Sequence, residues 1–275
     1  MKKTVLITGA SSGIGLAAAK VFAANDWHVV ATMRQPAADS ELSRLPSVLV
    51  TRLDVQDRDS IASAVASGVE RFGRIDALIN NAGFSLFGVF EGISHEKVHE
   101  QFDVNFFGVM DVTRALLPHF RQNKSGLVIN VSSRAGLVGL PMISLYCAAK
   151  YALEGFSEAL SYELASQNII VKIVEPSGGV TGTQFSRRMA QEKTPDTVPA
   201  DYADFAARTS AVFASMQAAR KTTADDVARV IHEAATDGSS RLRYFVGEDV
   251  GDFVRAKREK SDQEYINFMR AHFSS

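Results

Sequence analysis

Short apolar segments alternate regularly with helix-period segments along most of this 275-residue chain. Between the apolar segments, the chain repeats its apolar positions with the period of a helix. Strict alternation of this kind predicts a parallel sheet with strands buried on both faces and right-handed helical crossovers. The fold class is therefore α/β, a doubly wound parallel sheet. The predicted strands span residues 4–8, 28–32, 47–53, 77–80, 126–131 and 169–174, and the predicted helices span 13–25, 57–72, 94–121 (one helix or two) and 144–167.

The pattern changes after Pro176, where a polar, helix-prone stretch runs to about residue 221. A further helix begins near residues 223–226, a last strand spans 242–246, and a charged tail of helical period follows. No repeat, low-complexity tract or linker separates a second domain. We therefore expect residues 1–275 to form a single domain, with a core of 1–183 and 223–248, a separate segment at about 184–222, and a C-terminal helical extension at 249–275.

Composition and charge exclude several partners. Hydrophobic residues make up 46% of the chain, and 30 Lys and Arg residues face 31 Asp and Glu residues, for a net charge of -1. No global field attracts nucleic acid or an anionic membrane, and no apolar run reaches the roughly 18 to 20 residues of a membrane helix. The single cysteine, Cys147, rules out an internal disulfide and fits a cytoplasmic protein.

A glycine-rich turn follows the first predicted strand directly and opens the first helix. It reads Thr8-Gly9-Ala10-Ser11-Ser12-Gly13-Ile14-Gly15. In this context glycines let the backbone approach a pyrophosphate at a helix N-terminus. The turn therefore predicts a dinucleotide site on a Rossmann-like sheet.

Two other motifs offer different chemistry. Residues 9–13 match the G-x-S-x-G elbow of serine hydrolases, with Ser11 as nucleophile. That elbow normally follows several strands and is accompanied by an oxyanion segment, which this chain lacks, so hydrolysis is the weaker alternative. His95 and His99 match H-E-x-x-H, but no third ligand stands at the expected spacing, so we read them as a solvated helical turn and predict no metal.

Tyr146 and Lys150 form the most informative pair in the sequence. Four residues apart in a predicted helix, they lie on one face, where a cation favours the phenolate. Ser133 ends the strand upstream, and Asn81 ends an earlier strand. These groups collect where strand carboxyl ends meet, the edge at which doubly wound sheets bind ligands.

In residues 4 to about 250 the chain resembles the short-chain dehydrogenase/reductase family. The motifs occur in the family's order: the turn 8–15, Asp54, Asn80-Asn81-Ala82-Gly83, Asn105 with Gly108, Ser133, and Tyr146 with Lys150. The resemblance implies a hydride-transferring oxidoreductase in which Tyr146 is the general acid or base and Ser133 hydrogen-bonds the reacting oxygen. It implies that Lys150 lowers the tyrosine pKa and binds the nicotinamide ribose, and that Asn105 holds a water linking Lys150 to solvent.

The family resemblance also indicates the cofactor. Met33 stands where NAD-preferring relatives carry Asp, and Arg34 follows it with a guanidinium suited to a 2′-phosphate, so NADP(H) is preferred and NAD(H) is possible. Relatives carry Pro-Gly and then a nicotinamide-contacting threonine; here Pro176-Ser177-Gly178 leaves Thr181 and Thr183 as candidates. The cofactor-binding residues implied are Gly9, Ser11, Ser12, Gly13, Ile14, Gly15, Arg34, Asp54, Val55, Asn81, Ala82, Gly83, Tyr146, Lys150, Pro176, Gly178, Thr181 and Thr183.

In this family the segment at about 184–222 forms a lid over the substrate, and paired helices build a homodimer or homotetramer. Apolar residues in and before that segment favour a hydrophobic ketone or secondary alcohol as the small-molecule substrate. They are Phe185, Met189, Phe205, Val212, Phe213 and Met216 in the lid, and Leu137, Val138, Leu140, Met142 and Leu145 ahead of the tyrosine. A catalytically silent dinucleotide sensor is the other alternative, disfavoured because all four catalytic residues are present.

Overall fold

The computed structural model describes residues 2–37, 39–185, 188–189, 199–219, 221–247 and 251–274. Within them, seven strands form one sheet in the order β3-β2-β1-β4-β5-β6-β7, and every neighbouring pair is parallel. The strands are Thr4–Ile7 (β1), His28–Met33 (β2), Val48–Arg52 (β3), Ala77–Asn80 (β4), Gly126–Val131 (β5), Ile169–Pro176 (β6) and Arg243–Val246 (β7). The predicted doubly wound α/β fold is confirmed.

Helices cover both faces of the sheet, as the alternation requires. They are Gly13–Ala24 (α1), Arg58–Phe72 (α2), His95–Phe102 (α3), Gly108–Gln122 (α4), Ser144–Ala165 (α5), Ala203–Ala218 (α6), Ala224–Thr236 (α7), Gly251–Glu259 (α8) and Asp262–Ser274 (α9). Apolar residues of α1 and α7 pack on one face of the sheet, and those of α2, α4 and α5 pack on the other. Burial of these two layers is the main stabilising contribution to the fold.

One strand departs from the expectation of burial on both faces. β3 is only partly buried because it forms the edge of the sheet and has a neighbour, β2, on one side only. At the opposite edge, β7 exposes Phe245. The prediction therefore holds for the central strands alone, since only those have neighbours on both sides.

The segment predicted as one or two helices at residues 94–121 is a helical run with one wide turn inside it. α3 passes through a π-helical turn, Asp103–Phe107, directly into α4. π-turns of this kind often accompany functional sites because they redirect a side chain. Here the turn places Asn105 inside the protein, fully buried.

A third apolar cluster lies beyond the sheet, over the carboxyl ends of the strands. It joins residues ahead of Tyr146 to side chains of α6, α8 and α9, among them Phe213, Phe253 and Phe273. The tail predicted to be helical thus folds back onto the body of the protein. Of the predicted lid, residues 186–187, 190–198 and 220 lie outside the described residues, as do residues 248–250 and 275.

Candidate active site

A cavity of about 450 Å³ opens at the carboxyl ends of β1, β4, β5 and β6. Parallel strands with reversed crossovers leave a crevice at this edge, where doubly wound folds bind ligands. Most of the residues proposed from the sequence line it. They are Gly9, Ser11, Ser12, Gly13, Ile14, Arg34, Asp54, Val55, Asn81, Ala82, Gly83, Ser133, Tyr146, Lys150, Pro176, Gly178 and Thr183.

The glycine turn packs so tightly that it leaves no room for side chains at Gly9 and Gly15. Gly9 has a φ of +69°, and a Cβ there would lie 2.9 Å from the Ala82 Cα atom. A Cβ on Gly15 would lie 2.3 Å from the Gly9 carbonyl oxygen. Gly15 does not itself line the cavity; its lack of a side chain lets α1 start directly against the turn.

The N-terminus of α1 is open toward a ligand. Its N-cap residue, Ser12, makes no side-chain hydrogen bond to the first helical turn. Backbone N–H groups in a first turn have no partner within the helix and, together with the helix dipole, favour an anion. An uncapped helix start beside a glycine cradle fits the pyrophosphate of a dinucleotide.

Hydrogen bonds fix the turn to the end of β4. The Thr8 hydroxyl accepts from the backbone N–H groups of Asn81 and Ala82, at 2.9 Å and 3.0 Å. The Asn81 side-chain amide donates to the Thr8 carbonyl oxygen at 2.9 Å. The two strand ends are therefore held as one rigid surface.

Asn105 is engaged with the backbone just beyond β4. Its Oδ1 accepts from the Phe84 N–H at 3.0 Å, and its Nδ2 donates to the Phe84 carbonyl oxygen at 2.7 Å. It stands behind the cavity wall rather than in it, since the cavity is lined there by Gly83 and Phe84. The expected water link to Lys150 stays a prediction.

The three other residues of the expected catalytic set come together around the cavity. Tyr146 and Lys150 are in the first two turns of α5, and Ser133 follows β5; all three are buried. The Lys150 ammonium donates to the Val131 carbonyl oxygen at 2.8 Å and lies 5.8 Å from the centre of the Tyr146 ring. The Ser133 side chain hydrogen-bonds the Tyr146 phenol. A hydroxyl, a phenol and an ammonium group thus face one cavity.

Burial controls the protonation of this group. Burial raises the pKa of the Tyr146 phenol, and the hydrogen bond with Ser133 opposes that rise. Burial lowers the pKa of Lys150 to about 8, opposed by the nearby Glu154 carboxylate. The sequence predicts a tyrosine pKa lowered by the lysine charge, whereas in the structure burial of the phenol raises that pKa.

The family model for short chain dehydrogenases matches residues 3–194. This chain belongs to the short-chain dehydrogenase/reductase family. An uncharacterized oxidoreductase of Schizosaccharomyces pombe is 37% identical over 236 residues, which cover 85% of this chain and 96% of the relative. The 3-ketodihydrosphingosine reductase of Bacteroides thetaiotaomicron is 36% identical, covering 73% of this chain and 71% of the relative. Membership makes the protein an oxidoreductase acting on CH–OH groups.

Solved structures of this dehydrogenase family share the architecture. A short-chain dehydrogenase from Streptomyces avermitilis superposes with a TM-score of 0.81 at 31% identity, covering 100% of this chain and 98% of that one. ElxO, solved with NADP bound, superposes with a TM-score of 0.72 at 28% identity, covering 89% of this chain and 98% of that one. A family member of similar fold thus carries NADP at its site.

The two threonines proposed for this dehydrogenase's nicotinamide side differ in position. Thr183 lines the cavity, and its Cβ lies 3.2 Å from the point where a Cβ on Gly13 would be. Thr181 does not line it: its hydroxyl donates to the Thr222 carbonyl oxygen, and its backbone bridges to Thr223. Thr181 thus ties the segment after β6 to the start of α7, and its assignment to the cofactor stays a prediction.

The substrate side of the cavity is largely apolar. Of the residues proposed from the sequence, Leu140, Phe185, Met189 and Phe213 line it. Leu137, Val138, Met142, Phe205, Val212 and Met216 pack in the same apolar cluster, and Leu145 packs in a separate one with Phe84 and Leu86. The Phe185 and Tyr146 ring centres are 5.6 Å apart. The aromatic wall therefore reaches the residue proposed as proton donor.

Sequence reasoning missed two arginines on this wall, Arg134 and Arg188. Arg134 follows Ser133 directly, is almost fully buried, and lies over the ring of Phe253. Arg188 lies 4.2 Å from the ring centre of Phe84. The position of Arg134 beside Ser133 was the one available signal, but nothing in the sequence shows that its side chain turns inward.

Among the described residues, neither the G-x-S-x-G motif around Ser11 nor the pair His95 and His99 has the neighbours that hydrolysis or metal binding would need. No histidine lines the cavity among the described residues, so Ser11 has no imidazole base beside it. The His95 and His99 rings meet through their Nε2 atoms at 2.9 Å on an exposed helix surface. The described residues contain no group of three or more potential metal ligands, and none of their helices is long and apolar enough to span a membrane.

Proposed function

We propose that this dehydrogenase reduces an apolar ketone, or oxidises the matching secondary alcohol, with NADP(H). The observation that carries the proposal is the convergence of Ser133, Tyr146 and Lys150 on one cavity with an uncapped helix start. A bound nicotinamide supplies the hydride chemistry. The protein supplies a proton, a hydrogen bond to the reacting oxygen, and the orientation of both.

Tyr146 is the proton donor in this proposal. Because burial raises its pKa, the phenol carries its proton at neutral pH, as a general acid requires. The Ser133 hydroxyl, hydrogen-bonded to that phenol, is placed to hold the carbonyl oxygen at the same point.

The cofactor residues fit a phosphorylated dinucleotide. The open N-terminus of α1 takes the pyrophosphate, and the excluded side chains at Gly9 and Gly15 leave room for it. Arg34 lines the same cavity beside Met33, so the end of β2 presents a guanidinium rather than a carboxylate to it. This supports NADP(H) over NAD(H).

An apolar substrate is favoured by the wall of Leu140, Phe185 and Phe213. The relative named for 3-ketodihydrosphingosine offers a parallel, since that compound carries its ketone on a long alkyl chain. We include residues 184–222 as a lid, of which α6 and Phe185 supply part of this wall. Closing the cavity with such a segment would exclude water from the reaction.

Assembly into a homodimer or homotetramer is part of the proposal. Tyr151 and Tyr162 project from α5 with 41% and 71% of their surface exposed, and Phe107 is exposed at the start of α4. Exposed aromatic groups on neighbouring helices favour an interface. Light scattering of the purified protein measures the oligomeric state directly, and a monomer at all concentrations would contradict the proposed assembly.

Replacing Tyr146 with Phe tests the function. Loss of the proton donor should reduce turnover of apolar ketones by about 10²- to 10⁴-fold. The dissociation constant for NADPH should stay within about twofold of the wild-type value, because the ring remains. Turnover at the wild-type rate in Tyr146→Phe would overturn the assignment, and absence of turnover by the wild type on a broad ketone panel would favour the sensor alternative.

Replacing Arg34 with Ala tests the cofactor. Removing one charge-assisted contact to a phosphate should weaken NADPH binding by about tenfold to a hundredfold. NADH binding should change little, since the 2′-phosphate is absent. An equal loss of affinity for NADPH and NADH would show that Arg34 does not bind the 2′-phosphate.

A further inference from the structure

Two buried carboxyl groups lie behind the catalytic residues and have no part in the proposed reaction. Glu154 on α5 has 5% of its surface exposed, and Glu175 on β6 has none. One oxygen of Glu154 and both oxygens of Glu175 accept no hydrogen bond from the described residues. Burying carboxyl groups without partners is costly, so their presence calls for a physical reason.

Glu154 is positioned to act on Lys150. It lies one turn further along the same face of α5. Its side chain also packs under the turn that follows Ser133: a Cβ on Gly136 would lie 2.9 Å from the Glu154 Cγ and 3.1 Å from the Lys150 carbonyl oxygen. The carboxyl group is thus held within the wall that supports the catalytic residues.

Arg243 on β7 joins both carboxyl groups. Its Nε atom lies 3.3 Å from a Glu154 oxygen and 3.4 Å from a Glu175 oxygen, while its Nη2 donates to the half-buried Glu158 at 2.6 Å. Glu154 receives a hydrogen bond from the guanidinium, but Glu175 receives none. The negative charge is therefore better accommodated on Glu154 than on Glu175.

Like charges in one buried site cannot both be formed at low cost. Burial and the neighbouring Glu154 raise the pKa of Glu175 to about 8. Burial also raises the pKa of Glu154, with Ser132 and Arg243 opposing. The charged and titratable groups around Lys150 and this pair are Tyr146, Cys147, Glu154 and Glu158 from α5, Glu175 from β6, Arg243 from β7 and Arg258 from α8.

We propose that Glu154 is a positioning residue whose negative charge keeps Lys150 as an ammonium ion. Glu175 is protonated, so the two carboxyl groups together carry one negative charge. Burial removes water from the ammonium group and destabilises its charge. Attraction to the negative charge of Glu154 offsets part of this free-energy cost. The inference rests on the proposed function, since the lysine charge matters to turnover only if Tyr146 and the cofactor ribose depend on it.

A comparison of Glu154→Gln with Glu158→Gln tests the proposal. Both side chains bind Arg243, but only Glu154 is buried beside Lys150. The dissociation constant for NADPH, measured by fluorescence from pH 6 to 10, should rise in the wild type with a midpoint near the Lys150 pKa of about 8. In Glu154→Gln that midpoint, and the basic limb of kcat/KM, should fall by about one pH unit. In Glu158→Gln both should stay unchanged.

An unshifted midpoint in a folded Glu154→Gln protein, with folding checked by Tm, would show that Glu154 is only a structural brace and would overturn the proposal. If that variant does not fold, Glu175→Gln decides the matter. Glutamine resembles the protonated acid, so no shift is expected, and a lowered midpoint would place the charge on Glu175 instead. Failure of the wild type to bind NADPH at pH 7 would instead overturn the proposed function.

Discussion

The cofactor side and the substrate side of the cavity are built by different means. On the cofactor side, backbone meets backbone: the Gly9 carbonyl oxygen lies 2.3 Å from the point where a Gly15 Cβ would be. On the substrate side, aromatic side chains meet each other, with the Phe213 ring 5.6 Å from Phe87 and 5.8 Å from Phe273. The first surface has no room for an added atom, whereas the second can exchange one side chain for another of similar size.

This difference separates two kinds of specificity. Backbone geometry cannot vary without moving strands, so the dinucleotide surface is fixed by the fold itself. Apolar side chains can be replaced with moderate loss, so the substrate surface is open to change while the cofactor surface stays constant. A fold of this kind keeps one cofactor chemistry and changes its substrates.

The largest effect is expected from Gly15→Ala. The added methyl would overlap the Gly9 carbonyl oxygen and the Asn81 amide, forcing the turn away from α1. NADPH binding should weaken by at least about a hundredfold, with a loss of roughly 1–3 kcal/mol in the free energy of unfolding. Titration of NADPH fluorescence and urea unfolding measure the two effects.

The matched control is Gly139→Ala, on the loop ahead of α5. A Cβ there meets nothing within 4 Å. We expect the free energy of unfolding to change by no more than about 0.5 kcal/mol and NADPH affinity to stay constant. If Gly15→Ala and Gly139→Ala changed NADPH affinity and the free energy of unfolding equally, tight backbone packing would not be what shapes the cofactor side.

An intermediate effect is expected from Phe213→Ala on the substrate side. The ring contributes apolar surface to the cavity wall, so KM for a long-chain ketone should rise by about tenfold. NADPH affinity should be unchanged, because the Phe213 ring packs with Phe87 and Phe273 in the apolar cluster. Steady-state kinetics with ketones of increasing chain length measure the effect, and a short ketone should show a smaller change.

Phe90→Ala is the control for that substitution. Phe90 has 63% of its surface exposed and does not line the cavity. Its removal should leave KM unchanged for every chain length. An equal rise of KM in both variants would indicate a general loss of order rather than loss of the substrate wall, and the contrast between the two sides would fail.

The parts predicted from the sequence are those that repeat a simple physical rule. Apolar runs gave the central strands, and Tyr146 with Lys150 share one helix face, as their four-residue spacing requires. The edge strand β3 was expected to be more buried than it is, because the order of strands in a sheet is not written in any single segment. The strands Ala77–Asn80 and Gly126–Val131 have the predicted bounds, and other elements differ from theirs by one or two residues.

Features that depend on distant contacts escaped prediction. Thr181 and Thr183 have similar sequence surroundings, and only the pairing of Thr181 with Thr222 separates their positions. Met142 adopts a φ of +63° ahead of α5, and its carbonyl oxygen accepts from Gly88. The meeting of Glu154 with Glu175 and Arg243 joins three elements from different parts of the chain. Contacts between residues so far apart in the sequence cannot be predicted from a local pattern.

The wide turn between α3 and α4 makes the number of residues there more important than their identity. Asp103–Phe107 contains one residue more than an ordinary helical turn would accommodate. Deleting a single residue would let α3 and α4 join as a regular helix with their faces nearly unrotated, because the wide turn holds its extra residue within about one turn, but the widening that places Asn105 would be lost. Asn105 would then leave the Phe84 backbone that it now binds. Substitutions in this stretch are thus easier to accommodate than a change of length.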